Sequence, residues 1–126
     1  LSRNRLAGLI GFGALFWIQA ALTIRFLGDF DLFAPSLVSL IWFALTYPMA
    51  IFVAEMSTRV LKVEPEQFVR CVVIMCITAL SLDAFALTWI PNLYGADEAI
   101  RRGGAAWLLW GVACTLFYAL VKKKSV

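Results

Sequence analysis

The sequence predicts an all-α integral membrane protein, a bundle of four spanning helices with both termini on the cytoplasmic side. Three observations lead there. Of 126 residues, 63% are hydrophobic and only 15% are charged, whereas a soluble domain carries about 25% charged residues. Four apolar runs, at residues 6–27, 36–57, 67–90 and 104–121, match the roughly 20 residues that cross a 30 Å hydrocarbon core. Lysine and arginine sort by side. Arg3, Arg5, Arg59, Lys62, Arg70 and Lys122 to Lys124 fall on one side of a four-helix count, against Arg25, Arg101 and Arg102 on the other. By the positive-inside rule the richer side is cytoplasmic.

The first run follows Arg3 and Arg5, as the apolar stretch of a secretory signal would. It is longer than a signal core of about 7–15 residues and ends without a small-x-small cleavage pattern, so an uncleaved helix is expected. Ala7, Gly11 and Ala14, with Gly8 and Gly13 beside them, form a face of small residues. In lipid such faces let helices approach closely, either within one chain or along the seam of a homo-oligomer. Gly28 to Pro35 carries Gly, two Asp and Pro and reads as a linker. Arg25 would hold the preceding helix end at the outer headgroups.

In the second run, Pro48 removes a backbone donor and predicts a kink, with the carbonyl near Ala44 left to find another partner. Glu55 and Arg59 are spaced i, i+4 at its inner end and predict a snorkelling ion pair that anchors the helix. Residues 58–66 and 91–103, with Pro65 and Pro91 and most of the loop charge, separate the remaining runs. With linkers this short, a single transmembrane domain over residues 1–126 is expected. Trp89, Tyr94 and Trp107 are assigned to the outer interface, where amphipathic rings settle. Trp110, one turn deeper than Trp107, faces a contact or ligand surface, and Gly111 with Thr115 offers a small-residue face on the fourth helix.

The composition also excludes chemistry. There is no histidine, which removes the commonest ligand for haem, zinc and copper. Neither a metal nor a cofactor is expected. Cys71, Cys76 and Cys114 lie inside the spans without a Cys-x-x-Cys pair at a surface, so they read as buried structural residues. The net charge of +3 is a topology signal, and no basic cluster beyond Lys122 to Lys124 calls for a nucleic-acid partner.

One ionisable residue stands out at depth. Asp83 lies seven residues before Ile90, about 10 Å below the helix end at 1.5 Å per residue. Such groups cost ~2.5–3.5 kcal/mol on insertion scales and are the default functional candidates of a span. Gln19 sits at a similar depth in the first run, with Thr23 one turn above it. The candidate intramembrane site is therefore Asp83, Gln19, Thr23, Arg25, Trp107 and Trp110. Three readings of Asp83 stay open: an interhelical hydrogen bond, a coupling site for protons or a cationic ligand, and a contact with a partner subunit.

Arg25-Phe26-Leu27-Gly28, Leu82-Asp83-Ala84-Phe85, Pro91-Asn92-Leu93 and Ala106-Trp107-Leu108-Leu109-Trp110 together resemble a family of small bacterial four-helix inner-membrane proteins of unknown function. The resemblance runs over nearly the whole chain. It implies a bacterial inner (cytoplasmic) membrane location and makes Arg25, Asp83, Pro91, Asn92, Trp107 and Trp110 shared features, but it supplies no catalytic residue. The chain departs from that family at Thr78-Ala79-Leu80-Ser81, where a Pro-Gly step is usual. Other four-helix membrane families fit less well. Small multidrug transporters use a glutamate where Gln19 stands, membrane aspartyl peptidases need two aspartates at depth, and cytochrome-like bundles need histidines.

No nucleophile, base and orienter set is present, so the expected function is non-enzymatic: a structural or accessory component packing with itself or with a larger membrane assembly. The alternative is a small proton-coupled transporter or ligand carrier using Asp83. A third idea, a lipid-modifying enzyme using Asp83 and Arg25, would require a lateral opening near headgroup depth.

Overall fold

The computed structural model describes residues 2–125, with side chains through Lys122. The described residues form four α-helices: α1 Arg3–Leu27, α2 Leu37–Val60, α3 Phe68–Trp89 and α4 Glu98–Ser125. All four are long and apolar enough to cross a membrane. Short 3-10 turns at Gly28–Phe30, Pro65–Gln67 and Pro91–Tyr94 lie in the links between them. Both chain termini lie at one end of the bundle, the termini end, and the Pro91–Tyr94 turn lies at the opposite, distal end.

Local chemistry sets the boundaries. The Ser2 hydroxyl caps α1 by accepting from the Arg5 N–H. Ser36 and Ser39 form a reciprocal capping box at the start of α2, which satisfies donors that a helix N-terminus otherwise leaves open. α4 begins at Glu98, earlier than the apolar run from 104 suggests. Asp97 is the reason: its Oδ1 accepts from the N–H groups of Ala99 at 2.8 Å and Ile100 at 3.2 Å, so the polar turn carrying Glu98, Arg101 and Arg102 is already helical. α2 continues through Pro48 without a break in the helix.

The helices do not pack in chain order. α1 lies along α3, α3 along α4, and α4 along α2, while α1 and α2 share no packed seam. Glycines mark the tight approaches. A Cβ on Gly13 would stand 2.9 Å from the Met75 carbonyl oxygen and 2.8 Å from Thr78 Cβ on α3, and one on Gly104 would stand 2.7 Å from Ile24 on α1. The small-residue face of α1 is thus divided. Gly8 and Gly13 meet Leu61 and α3 within the chain, whereas Ala7 and Gly11 are exposed and Gly11 has open space beside it.

Two apolar clusters fill the bundle. At the termini end Leu9, Ala54, Phe68, Cys71, Val72, Met75, Cys76 and Ala119 are buried together. At the distal end the cluster is Ala21, Ile24, Phe33, Ala86, Tyr94 and Trp107. Large apolar side chains such as Leu40, Phe52, Phe85 and Leu109 point outward, the arrangement expected where the surrounding solvent is lipid. The three cysteines are buried and unbridged.

Candidate functional site

Asp83 is carried by α3 and is buried, with 6% of its surface exposed. Its partner comes from the distal loop. α3 ends where Ile90 N–H donates to the Ala86 carbonyl, since Pro91 has no N–H to continue the ladder. The chain then folds back through the Pro91–Tyr94 turn and leaves it at Gly95, whose φ of 115° is open to glycine and strained for other residues. Two arginines hold this turn. Arg25 on α1 donates to the Asn92 carbonyl at 2.9 Å, and Arg101 on α4 donates to the Gly95 carbonyl at 2.9 Å.

The turn drives Tyr94 inward until its side chain has no exposed surface. Its hydroxyl donates to Asp83 Oδ1 at 2.6 Å and accepts from Trp17 Nε1 at 3.0 Å. A single phenol therefore links α1, the distal turn and α3. Burial, and the Asp83 carboxylate that accepts its proton, push the Tyr94 phenol well above its ordinary value of 10.0. Beside this relay, Trp107 Nε1 donates to Thr46 Oγ1 at 2.8 Å, and the Thr46 hydroxyl in turn donates to the Trp42 carbonyl at 2.9 Å. The Trp107 ring packs at 5.4 Å from Phe33 and 5.6 Å from Trp42, centroid to centroid.

The missing seam between α1 and α2 leaves a cavity of about 150 Å³ in the middle of the bundle. Asp83, Gln19, Trp17, Thr46, Trp107 and Thr115 are among its polar lining residues, and Phe16, Met49, Ala50, Val53, Met75 and Val112 are among its apolar walls. Phe16, Gln19, Met49 and Val53 also line a second concavity, with Leu15, Pro48 and Phe52, on the α1–α2 side. The inner cavity and this outer recess share these walls on the α1–α2 side.

Of the six residues expected from sequence, the fold brings Asp83, Gln19 and Trp107 to one cavity. Thr23 does not line it; its hydroxyl donates to the Gln19 carbonyl at 2.8 Å on the same helix. Arg25 is committed to the distal turn. Trp110 is 44% exposed, and its Nε1 donates to the Phe43 carbonyl of α2 at 2.8 Å. Gln19 lines the cavity without bonding Asp83; its amide leans on Thr23 at 3.5 Å, and Tyr94 takes the carboxylate. One expectation needs correcting: Tyr94 and Trp107 are not interfacial rings. Both are buried because each has a polar tip that finds a partner inside the bundle. Arg25 and Asp83, paired in the lipid-enzyme idea, share no hydrogen bond or ion pair among the described residues.

Sequence reasoning missed Trp17, Thr46 and Tyr94. The available signal was Tyr94 directly after Pro91-Asn92-Leu93, in a loop short enough to bring it back over α3. A second polar cluster lies at the termini end. Glu55 accepts from the Tyr118 hydroxyl and from Lys122 Nζ at 2.6 Å, and the expected ion pair with Arg59 is present at a looser 3.7 Å. Lys122 also stands 4.2 Å over the Phe68 ring. Among the described residues no group of three His, Cys, Asp or Glu side chains could hold a metal ion.

The fold and site define a four-helix, membrane-compatible bundle with a buried carboxylate on the wall of an internal cavity. No known family model matches the chain, and no curated protein or solved structure is significantly similar to it.

Proposed function

We propose that this chain is a non-enzymatic, multi-pass membrane protein that binds or carries a small molecule dissolved in the bilayer, with Asp83 as the binding residue. The cavity between α1 and α2 carries this reading. A helix pair that existed only for packing would close on itself, because in lipid close van der Waals contact is the main source of association. Here the two helices stand apart at the level of the one carboxylate, and Asp83 Oδ2 takes no hydrogen bond among the described residues. Placement in a bacterial inner membrane with both termini cytoplasmic is supported by the sorting of basic residues and by the family resemblance of the Arg25, Asp83, Pro91-Asn92 and Trp107 to Trp110 motifs.

A second reading is favoured by the same gap together with the exposed Ala7 and Gly11. In it, the protein is an accessory component, and a helix of another copy or of a larger assembly lies against α1. Native mass spectrometry of the protein released from nanodiscs separates the two. The carrier reading expects a chain with a small-molecule adduct that is lost in Asp83→Asn. A chain recovered only with a second polypeptide, and with no adduct in either form, would reject it in favour of the accessory reading.

A further inference from the structure

The walls of the cavity select a class of ligand. Resting on the carrier reading above, we propose that the ligand is a lipophilic primary amine that enters sideways from the bilayer between α1 and α2, with its ammonium on Asp83 and its chain in the α1–α2 recess. Charge decides the head. Asp83 is the one acidic or basic side chain lining the cavity among the described residues, so an anionic head would meet a carboxylate with no Lys or Arg to offset it. An ammonium would meet an opposite charge in a site of low dielectric, where such attraction is strong.

Hydrogen-bond inventory points the same way. Tyr94 occupies Asp83 Oδ1, while Asp83 Oδ2 and Gln19 Oε1 accept no hydrogen bond among the described residues. Both residues line the cavity. Two acceptor oxygens thus stand open on residues of one cavity, and an ammonium brings three donors. Trp17 and Trp107 also line the cavity, and aromatic rings within reach of a cation add attraction for it. The apolar part of the ligand follows from the route. Phe16, Met49 and Val53, together with Gln19, line both the inner cavity and the outer recess, so the wall that the two share is mostly apolar.

Decylamine, with 1-decanol as its neutral counterpart, tests this in phosphatidylcholine nanodiscs, read by isothermal titration calorimetry against empty discs. Decylamine is expected to saturate at one site per chain, and decanol to bind far more weakly. Asp83→Asn should weaken decylamine by at least about tenfold while keeping an acceptor for Tyr94. Met49→Trp, at a position 38% exposed on the recess wall, should block binding without moving the melting temperature, which guards against a folding defect in the aspartate variant. Equal binding of decanol and decylamine, unchanged in Asp83→Asn, would overturn the amine assignment and leave the carrier reading standing. Failure of both probes to bind folded wild-type protein would overturn both.

Discussion

The Tyr94 hydroxyl donates to Asp83 Oδ1 at 2.6 Å while accepting from Trp17 Nε1 at 3.0 Å, in a position with no exposed surface. Removing that one oxygen leaves a buried carboxylate without its donor and a half-buried indole without its acceptor. Each such loss costs about 1–3 kcal/mol, and intramembrane hydrogen bonds fall at the low end of that range. Tyr94→Phe keeps the ring and its packing, so the loss is polar. The variant is expected to be destabilised by roughly 2 kcal/mol in thermal unfolding in detergent, with changed Trp17 emission. A melting curve that overlays the wild type would show that the phenol does not join these elements.

The same phenol predicts a pH dependence. In the folded protein it releases its proton well above the ordinary value of 10.0, and in the unfolded chain it titrates near that value. Above pH 10 the unfolded state therefore holds fewer protons than the folded state, and stability falls as pH rises. The contribution of Tyr94 is fully present below that point and is lost on the way up to its folded value. Melting temperatures measured at increasing alkaline pH should decline more steeply in wild type than in Tyr94→Phe. Parallel slopes would remove the argument.

The four helices were legible because an apolar run of spanning length has few other uses, and Asp83 because a carboxylate inside such a run is costly enough to stand out. The start of α4 was not, since Asp97 extends the helix beyond the apolar run through a cap, a signal that apolar length does not contain. Helix order was also hidden. In lipid both the inward and outward faces are apolar, so Phe16 on the cavity wall and Phe52 toward lipid look alike in sequence, and the amphipathic stripe that orients a soluble helix is missing. Tyr94 was read as an interfacial ring because nothing in its neighbours records that Arg25 and Arg101 hold its turn against the bundle.

Glycine substitutions separate packed from open helix faces. A Cβ at Gly103 would lie 1.6 Å from the Phe33 carbonyl oxygen, a backbone atom that cannot swing away. Gly103→Ala must push α4 off the link between α1 and α2, and a large loss of stability, or failure to accumulate folded protein, is expected. At Gly11 a Cβ would meet nothing within 4 Å. Gly11→Ala should be neutral or gain up to about 1 kcal/mol from reduced backbone freedom. Thermal melts check both, and size-exclusion with light scattering on Gly11→Ala adds a second readout. A drop in oligomer mass there would identify Gly11 as part of a seam between copies.

The termini-end cluster ranks its own members. Glu55 holds Lys122 at 2.6 Å and the Tyr118 hydroxyl on α4, so its carboxylate joins α2 to α4 across the bundle. Arg59 reaches it only at 3.7 Å, with 80% of its side chain exposed, and comes from the same helix. An exposed i, i+4 pair contributes about 0.3–0.5 kcal/mol and is screened by salt. Arg59→Ala should therefore change stability by less than about 0.5 kcal/mol, and high salt should erase even that. Glu55→Ala removes a partly buried acceptor from two donors at once and should cost roughly 1–3 kcal/mol, with little rescue or loss on adding salt. Tyr118→Phe removes one of those donors and should fall between the two. A series in which Arg59→Ala proved as damaging as Glu55→Ala would mean that the cluster acts through headgroup anchoring rather than by tying α2 to α4.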